Sequence, residues 1–344
     1  MHGETGFRIC SSCPERGLSA EAAGWATIGC NEVVAEVEVS IIIPTKNGGA
    51  NLAKTLVMVY GQSYPRPFEV IIIDCGSIDD TLDIVRRYAA RLVQIRPEDF
   101  GHGRTRNLGA RLAEGRCLVF ITQDAVPATD RWLFNLVRNL DDPAVAGVYG
   151  RQIPRRNTNP MEHFFLNSRY PAHRIVQSAR QGQMNMHTIF FSNVNSAVKR
   201  EVFDRQPFHD DIIMSEDQEW ARRVLLNGYD VIYDPEAAVY HSHNFGPRQV
   251  FKRYFDSGVS LGQFARSEYS WGKFIRRGLN YVRQEMEFLV GNGYLWWIPY
   301  AFVYDVAKFV GISLGKRERY LAAALKRRLS MHSDYWATTK HPEA

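Results

Sequence analysis

The sequence of 344 residues has little cysteine and no long uninterrupted apolar run. Its five cysteines are too few and too irregularly spaced for a disulfide framework, so a reducing compartment such as the cytoplasm is the simpler expectation. A structural zinc site at Cys10 and Cys13 would need a second cysteine pair, and only Cys30 is near. Disorder of the whole chain is excluded, because 45% of the residues are apolar and 12% are aromatic.

The first 36 residues also lack a sustained apolar period, and no charged segment followed by an apolar one occurs there. We therefore expect no secretory signal and a loosely ordered extension. The net charge of +5 is unevenly spread, since residues 248–330 contain 15 Lys and Arg against 6 Asp and Glu. The composition predicts three parts: an extension (residues 1–36), an α/β domain (37–247) and a basic, mostly helical region (248–344).

Apolar runs and helical patterns alternate regularly through the first part of the α/β domain. Short, β-branched runs predict strands at residues 39–44, 68–74, 91–95 and 116–122. Helical patterns follow the first three of these runs, at residues 51–60, 79–88 and 104–114. This order predicts a parallel sheet with helices on both faces, whose ligand crevice lies outside the carboxyl ends of the strands.

Polar residues stand directly after three of the predicted strands. Residues Thr45 to Asn47 follow the first strand, Asp74 and Ser77 close the second, and Asp124 follows the fourth. Each of them alone is equally well explained by helix capping or turn formation. Together, acidic and hydroxyl groups that converge on one crevice suit a ribose, a base edge and a metal-bridged diphosphate, which are the parts of a nucleotide-sugar.

A glycine-rich stretch at residues 99–109 tests a dinucleotide-binding alternative. A dinucleotide fingerprint has Gly-x-Gly-x-x-Gly directly after the first strand, whereas this stretch follows the third strand and has Arg106 at the third glycine position. Hydride transfer is therefore disfavoured. Gly103 would instead let the backbone approach a ligand closely, with Arg106 supplying charge near phosphate. A flexible loop that enters a solvent-facing helix is the alternative explanation.

The segment from Val39 to Asn244 contains five short motifs whose order and spacing matter more than any one of them. They are Ile-Ile-Pro-Thr-Lys-Asn ending at residue 47, Ile-Asp-Cys-Gly-Ser-Ile-Asp ending at 79, Gly-Arg-Thr-Arg-Asn-Leu-Gly ending at 109, Phe-Ile-Thr-Gln-Asp ending at 124 and Ser-Glu-Asp ending at 217. This pattern resembles the family-2 inverting glycosyltransferases of the GT-A fold. The resemblance implies a Rossmann-like α/β domain with a mixed sheet flanked by helices, a nucleotide-sugar donor and a divalent metal, Mg²⁺ or Mn²⁺.

The resemblance also implies where the donor and the metal bind. The Asp-x-Asp element of the family falls at residues 122–124, where Thr122 replaces the usual first Asp, so Asp124 would hold the metal with fewer protein carboxylates. Relatives carry a metal-binding histidine at the position that His241 matches best, and His243 is the second candidate. A histidine pair that is merely hydrogen-bonded at a strand end is the alternative. The residues expected at the donor are Pro44, Thr45, Lys46, Asn47, Asp74, Ser77, Gly103, Arg106, Gln123 and Asp124.

A pair of carboxylates begins a predicted amphipathic helix that ends at Gly228. A carboxylate at a helix N-terminus is favoured as an anion, which is the state that a general base needs. In a single displacement, one carboxylate takes the proton of the acceptor hydroxyl while its oxygen attacks the anomeric carbon. The resemblance assigns this role to Asp217, with Glu216 as the alternative, and capping without catalysis also explains the pair. Nothing singles out a second carboxylate as a covalent nucleophile.

Two further segments are expected to contact partners. The polar, aromatic segment at residues 151–186 is too long for a simple connection and predicts an insertion that shapes the acceptor pocket. Residues 190–197 then return to strand-like character, and Asn193 and Asn195 could reach sugar hydroxyls, although turn formation explains them equally well. The apolar, aromatic segment at residues 294–304 is interrupted by Pro299 and followed by Asp305 and Lys308, so it is too short to span a bilayer. It suits a helix at an anionic membrane surface, a helix that packs on a second subunit, or an ordinary core helix.

The sequence therefore predicts an inverting, metal-dependent glycosyltransferase at the cytoplasmic face of the cell membrane. The stretches at residues 122–127 and 329–336 look like bacterial rhamnosyltransferases of the family, so dTDP-rhamnose is the favoured donor and a glycan or lipid-linked glycan the expected acceptor. A UDP- or GDP-sugar donor and a non-catalytic scaffold of the same fold are the alternatives. A nucleotidyltransferase is disfavoured because residues 45–50 lack its glycine-rich, basic loop, and no nucleic-acid partner is expected.

Overall fold

The computed structural model describes residues 36–181, 184, 188–264 and 271–338. The extension predicted at residues 1–36 lies outside the described residues, apart from its last residue, and so does part of the predicted insertion. From Glu36 onward the chain forms one compact unit, so the C-terminal helices pack on the sheet domain. The boundary placed between residues 247 and 248 stays a prediction.

A mixed sheet forms the centre of the molecule. Its strands in the described residues are β1 (Val39–Thr45), β2 (Phe68–Asp74), β3 (Ala90–Gln94), β4 (Cys117–Ile121), β5 (Val126–Pro127), β6 (Val145–Ile153), β7 (Ile175–Ser178), β8 (Asn195–Lys199) and β9 (Asp230–Tyr240). The strand order is β3-β2-β1-β4-β8-β6-β9-β5, and β7 pairs with β9. The first four strands are parallel, as predicted, whereas β8 runs antiparallel to both of its neighbours, β4 and β6.

Helices cover both faces of this sheet and continue beyond it. Those within the α/β part are α1 (Gly49–Tyr60), α2 (Thr81–Val85), α3 (His102–Leu112), α4 (Trp132–Val137), α5 (Pro160–Arg169), α6 (Arg200–Arg205) and α7 (Glu216–Leu226). The C-terminal ones are α8 (Pro247–Phe264), α9 (Trp271–Gly291), α10 (Ile298–Gly315), α11 (Ala323–Leu329) and α12 (Tyr335–Thr338).

The alternating side chains of the central strands explain why the sheet has helices on both faces. Ile41 and Ile43 of β1 point into a core with α1 and α4, whereas Ile42 between them points into a second core with α3 and α7. A strand that is buried on both faces shows an unbroken apolar run, which is why β1, β2 and β4 were recognisable in the sequence.

Two predicted elements differ from the structure. The helix expected at residues 79–88 is shorter and covers only Thr81–Val85, because the chain then turns directly into β3. The strand-like run at residues 190–197 enters its strand at Asn195, after a turn that hydrogen-bonds Asn195 N to Ser192 O at 3.2 Å. That turn contributes to the site described below.

The C-terminal region is built on a close crossing of α8 and α10. A Cβ atom at Gly311 would lie 2.5 Å from the Phe251 carbonyl oxygen, and one at Gly315 would lie 2.1 Å from the Phe255 carbonyl oxygen. One face of α10 is thus buried against α8, whereas its other face is exposed. None of the helices in the described part of the chain combines the length and apolar character that a membrane span requires.

Candidate active site

The carboxyl ends of β1 and β4 are joined by the side chain of Gln123. Its Oε1 accepts hydrogen bonds from the Lys46 backbone N–H at 2.9 Å and from the Thr45 hydroxyl, and its Nε2 donates to the Lys46 carbonyl at 3.1 Å. Thr45 is buried, and Pro44 precedes it inside β1. Three of the predicted donor-binding positions and Gln123 therefore lie together.

The carboxyl end of β2 continues this edge. The Ser77 hydroxyl accepts from the Asn47 backbone N–H at 2.8 Å, and Asn47 Oδ1 accepts from the Ile78 N–H at 2.9 Å. Asn47 has a positive φ of 49°, in the left-handed region that asparagine tolerates better than most residues. The turns after β1 and β2 are thus locked to each other.

Asp74 is the fully buried carboxylate of this edge, and one of its oxygens is unused. Its Oδ2 accepts hydrogen bonds from the N–H groups of Gly76 and Ser77, each at 3.1 Å. Its Oδ1 is buried and has no hydrogen-bond partner within the described residues. An unsatisfied buried acceptor is costly, so this oxygen suits a ligand that donates a hydrogen bond, such as the imide N–H of a pyrimidine base.

Asp124, His241 and His243 form a cluster suited to a metal ion. Their ligand atoms all lie within 4.8 Å of one another, and His241 Nε2 is 3.6 Å from Asp124 Oδ1. Ligand atoms that share one ion at about 2.1 Å lie at most about 4.2 Å apart, so the three groups need to close only slightly. The residues present therefore fit a divalent cation.

The orientation of His241 is set by a residue that the sequence did not single out. His241 Nδ1 lies 2.8 Å from Gln152 Oε1, an atom that can only accept, so Nδ1 carries the hydrogen and Nε2 faces Asp124 with its lone pair. Gln152 is fixed in turn because its Nε2 donates to Ser192 Oγ at 3.0 Å and to the Tyr170 hydroxyl. Such outer partners raise metal affinity by holding the ligand in place.

The protonation states in this cluster favour a cation. Burial lowers the pKa of His241 to about 3 and the pKa of His243 to about 4, so both imidazoles are neutral at neutral pH. Burial opposes ionisation of Asp124, but the adjacent imidazoles and the Arg155 guanidinium outweigh it and hold the pKa of that carboxyl below its usual value. Neutral histidines beside an ionised carboxylate are the forms that bind metals.

Glu216 and Asp217 begin α7 and have different environments. Glu216 is buried, and its Oε1 accepts from Arg106 Nη1 and from Asn193 Nδ2, both at 3.1 Å. Asp217 is partly exposed, and its two oxygens accept from the backbone N–H groups of Asn193 at 3.0 Å and Gln218 at 2.8 Å. Glu216 is thus held by protein partners, whereas Asp217 is the carboxylate that a substrate can reach.

The pKa of Asp217 differs from the expectation based on its place at a helix N-terminus. That position favours the anion, but burial and the adjacent Glu216 carboxylate oppose it and raise the pKa of Asp217 to about 7. A carboxyl group that titrates near neutral pH is well matched to accept a proton from a hydroxyl and release it to solvent.

The turn at residues 192–194 connects the metal cluster with the carboxylate pair. Ser192 accepts from Gln152, the partner of His241, and the next residue, Asn193, donates to both Glu216 and Asp217. Val194 O accepts from the Thr122 N–H at 3.2 Å, next to the predicted metal-binding element. One short segment therefore contacts the surroundings of both groups, and this brings them to the same edge of the sheet.

The remaining predicted donor residues lie at α3. A Cβ atom at Gly103 would be 2.3 Å from the His209 carbonyl oxygen, so close packing against the loop before α7 already requires glycine here. Arg106 is buried and donates to Glu216 and, at 3.0 Å, to the His102 carbonyl. The donor-binding roles of both residues stay predictions.

Known proteins resemble this chain in sequence and in fold. Residues 40–206 match the model of the family "Glycosyl transferase family 2". The chain is 36% identical over 304 residues to the O-antigen chain rhamnosyltransferase RfbN of Salmonella typhimurium, a match that covers 87% of this chain and 96% of that protein. It is 35% identical over 300 residues to WbaN of Salmonella anatum, which bears the same description, with 86% and 95% covered.

The chain belongs to glycosyltransferase family 2. A solved structure, the mannosyltransferase PcManGT from Pyrobaculum calidifontis in complex with GDP-Man and Mn²⁺, has the same fold, with a TM-score of 0.57 at 20% identity over 82% of this chain and 88% of that one. The predicted GT-A fold and the predicted family are confirmed. The protein is a glycosyltransferase, and metal dependence and inversion are typical of its family.

The contacts of two residues that support the candidate site could not be predicted from the sequence. Gln152 lies within β6 and has no motif around it, and its role is visible only from its contact with His241. Asn193 was noticed as a polar residue able to reach a sugar or form a turn, but its bonds to Glu216 and Asp217 place it in support of the carboxylates. Both depend on contacts between residues far apart in the chain.

Proposed function

We propose that the protein transfers rhamnose, with inversion, from dTDP-rhamnose to a hydroxyl of a lipid-linked glycan during synthesis of a cell-surface polysaccharide. The observation that supports the chemistry is the shared edge: Asp217, a partly exposed carboxylate with a pKa of about 7, accepts from the same turn that contacts Gln152, the partner of His241 in the metal cluster. The donor sugar and the acceptor class are supported by the two rhamnosyltransferases, which match over nearly their full length.

Asp217 is the proposed general base. The hydrogen bonds from Asn193 and Gln218 hold its carboxylate in one orientation, so that an oxygen can accept the proton of the acceptor hydroxyl as that hydroxyl attacks the anomeric carbon. Glu216, paired with Arg106, contributes by raising the pKa of Asp217. Inversion follows from attack opposite the leaving diphosphate in a single displacement.

Asp124, His241 and His243 are the proposed metal ligands. A Mg²⁺ or Mn²⁺ ion bound there would neutralise the negative charge that builds on the departing nucleoside diphosphate. Two imidazoles and one carboxylate favour Mn²⁺ over Mg²⁺, since Mg²⁺ prefers oxygen ligands. Histidine ligands in this way offset the loss of the family's first Asp at Thr122.

The proposed donor site uses the locked turns after β1, β2 and β4. Asp74 Oδ1 would accept from the base, with Pro44, Thr45 and Ser77 around the base and ribose. Lys46 and Asn47 are exposed at the same edge. Thymine and uracil share the imide N–H that Asp74 would bind, so this contact does not separate a dTDP- from a UDP-sugar, which is the second candidate donor.

Release of nucleotide from a panel of donors tests this function. We expect hydrolysis of dTDP-rhamnose, faster than that of UDP- and GDP-sugars, in the presence of Mn²⁺ and its loss on addition of EDTA. Preference for a UDP- or GDP-sugar would overturn the donor assignment alone. If no donor of the panel released nucleotide, even with lipid extracts present, a non-catalytic scaffold of the same fold would be favoured.

We also propose that the exposed face of α9 and α10 lies on the anionic, cytoplasmic side of the membrane that carries the acceptor. The exposed surface of these two helices and of the turn between them carries apolar side chains, Leu279 at 67%, Phe302 at 67% and, in the turn, Trp296 at 95%, together with the exposed arginines Arg276 and Arg277. Co-sedimentation with phosphatidylglycerol vesicles, lost in Trp296→Asp, is expected. A stable dimer that binds no vesicles would assign the face to a second subunit.

A further inference from the structure

An open cavity of about 530 Å³ lies between the α/β part and the C-terminal helices. One wall is formed by the β6–α5 connection and by the segment between β9 and α8, and the other by the end of the α9–α10 connection and the start of α10. Its volume is that of a small-molecule site. The donor and metal groups described above do not line it.

The wall from the C-terminal region is aromatic. Tyr294, Trp297 and Tyr300 line the cavity and remain 40%, 38% and 37% exposed. The Trp297 and Tyr300 rings meet edge to face, with centroids 5.7 Å apart, so they present surfaces that are not stacked on each other. Exposed aromatic faces of this kind pack against the apolar C–H face of a sugar ring.

The opposite wall is polar. The exposed side chains of Arg156 and Asn157 lie there, beside Asn244, whose side chain accepts from Asn159 N at 2.8 Å and donates to Asn157 O at 2.8 Å. These bonds keep the polar wall in shape. Amide and guanidinium groups hydrogen-bond hydroxyl groups, so the cavity offers the two surfaces that a saccharide needs, an apolar plane and a polar rim.

The polar wall is continuous with the metal cluster. The Phe245 ring at the cavity stacks on the His243 ring, with centroids 4.7 Å apart and planes 13° from parallel. In the β6–α5 connection, Arg155 donates to the Asp124 carbonyl and, through its backbone N–H, to Ser242 Oγ at 3.2 Å. A molecule in the cavity is therefore adjacent to the residues that hold the proposed metal ion.

We infer that this cavity is a saccharide subsite, which binds a sugar residue of the glycan acceptor between the aromatic and polar walls. The inference rests on the proposed function in one respect, that the acceptor is a glycan. It adds that the C-terminal region takes part in acceptor recognition through Trp297, while the neighbouring Trp296, 95% exposed and not part of the lining, does not.

Saturation-transfer NMR with methyl glycosides of galactose, mannose, glucose and N-acetylglucosamine tests the subsite. We expect the full-length protein to saturate ring C–H protons of at least one glycoside, and Trp297→Ala to remove this signal. Trp296→Ala is the matched control and should keep it. Tyr294→Ser, a change on the same wall, should weaken it independently, so the test does not depend on one variant folding.

The same variants separate this inference from the proposed function. With the best-bound glycoside as a soluble acceptor, Trp297→Ala should raise the acceptor KM about tenfold or more and leave metal-dependent hydrolysis of dTDP-rhamnose unchanged. No signal from any glycoside, or an equal signal in wild type and Trp297→Ala, would overturn the subsite. Absence of donor hydrolysis in the wild-type protein would instead overturn the proposed function.

Discussion

The proposed donor half and the proposed acceptor half of this glycosyltransferase are built in different ways. The donor half consists of turns that follow β1, β2 and β4, and each turn is a short, continuous stretch of sequence locked to its neighbours, as Gln123 locks Thr45 and Lys46. The acceptor half combines residues from the β6–α5 connection, the segment before α8 and the start of α10. Local motifs describe the first half, whereas only tertiary packing assembles the second.

If this division is correct, changes in the acceptor half should alter transfer without altering donor chemistry, and changes at the metal should alter both. In the proposed mechanism Asp217 stands at the junction, because it would act on the acceptor hydroxyl while belonging to the edge that would hold the donor.

Substitution of Asp217 by Asn should lower the transfer rate by about a hundredfold to ten-thousandfold, because the amide cannot accept the hydroxyl proton. The affinity for dTDP-rhamnose in the presence of Mn²⁺ should stay nearly the same. Transfer assays and titration calorimetry measure the two quantities. Asp211→Asn, an exposed carboxylate in the preceding loop, is the control and should be active. Parallel loss of rate and donor affinity would contradict the role of Asp217 as base.

Substitution of Gln152 by Ala should weaken Mn²⁺ binding by about tenfold to a hundredfold, because His241 loses the acceptor that fixes its Nδ1–H. Electron paramagnetic resonance of free Mn²⁺ during a titration measures the affinity. Ser192→Ala removes a bond on the other side of the same amide without touching His241, so its effect should be much smaller. Equal Mn²⁺ affinities in the wild type and in Gln152→Ala would contradict a role of Gln152 in metal binding.

The pH profile of kcat/KM should show the smallest but most specific effect. Asp217 must be deprotonated to act as base, so activity should rise with pH and reach half of its plateau near its pKa of about 7. Glu216→Gln removes a neighbouring negative charge and should move this limb to lower pH. Glu219→Gln, a change in the same turn of α7 at a carboxylate that is paired with Arg223, should leave the limb in place. If the rise of kcat/KM with pH occurred at the same pH in Glu216→Gln as in the wild type, a group other than Asp217 would be titrating.

Much of the fold and of the donor half could be predicted from the sequence. Strands buried on both faces have continuous apolar runs, and the polar residues that end them share one edge by topology. The position of Thr45, Asp74 and Asp124 at that edge could therefore be predicted without coordinates. The antiparallel strand β8, with residues Ser192 and Asn193 before it, could not be placed, because its pairing with β4 and β6 depends on contacts across about 80 and 50 residues of sequence.

The acceptor half was less predictable for a related reason. From the sequence, the segment at residues 294–304 could belong to the core, contact a membrane or contact a second subunit. In the structure, its side chains differ from one residue to the next in how far they are buried. Tyr304 is buried, Trp297 lines the cavity and is 38% exposed, and Trp296 lies outside the cavity lining and is 95% exposed. Periodicity cannot assign such neighbours, because the 3-10 turn at Leu295–Trp297 breaks the helical pattern just before α10.

In the proposed enzyme, one cleft holds the metal ion and the catalytic base on either side of the donor sugar. Anomalous diffraction from crystals grown with Mn²⁺ and a non-hydrolysable dTDP-rhamnose analogue can locate the ion and the sugar in a single experiment. We predict a manganese peak bounded by Asp124, His241 and His243 against the diphosphate, with Asp217 facing the anomeric carbon from the opposite side. A manganese peak elsewhere, or a sugar whose anomeric carbon is turned away from Asp217, would contradict it.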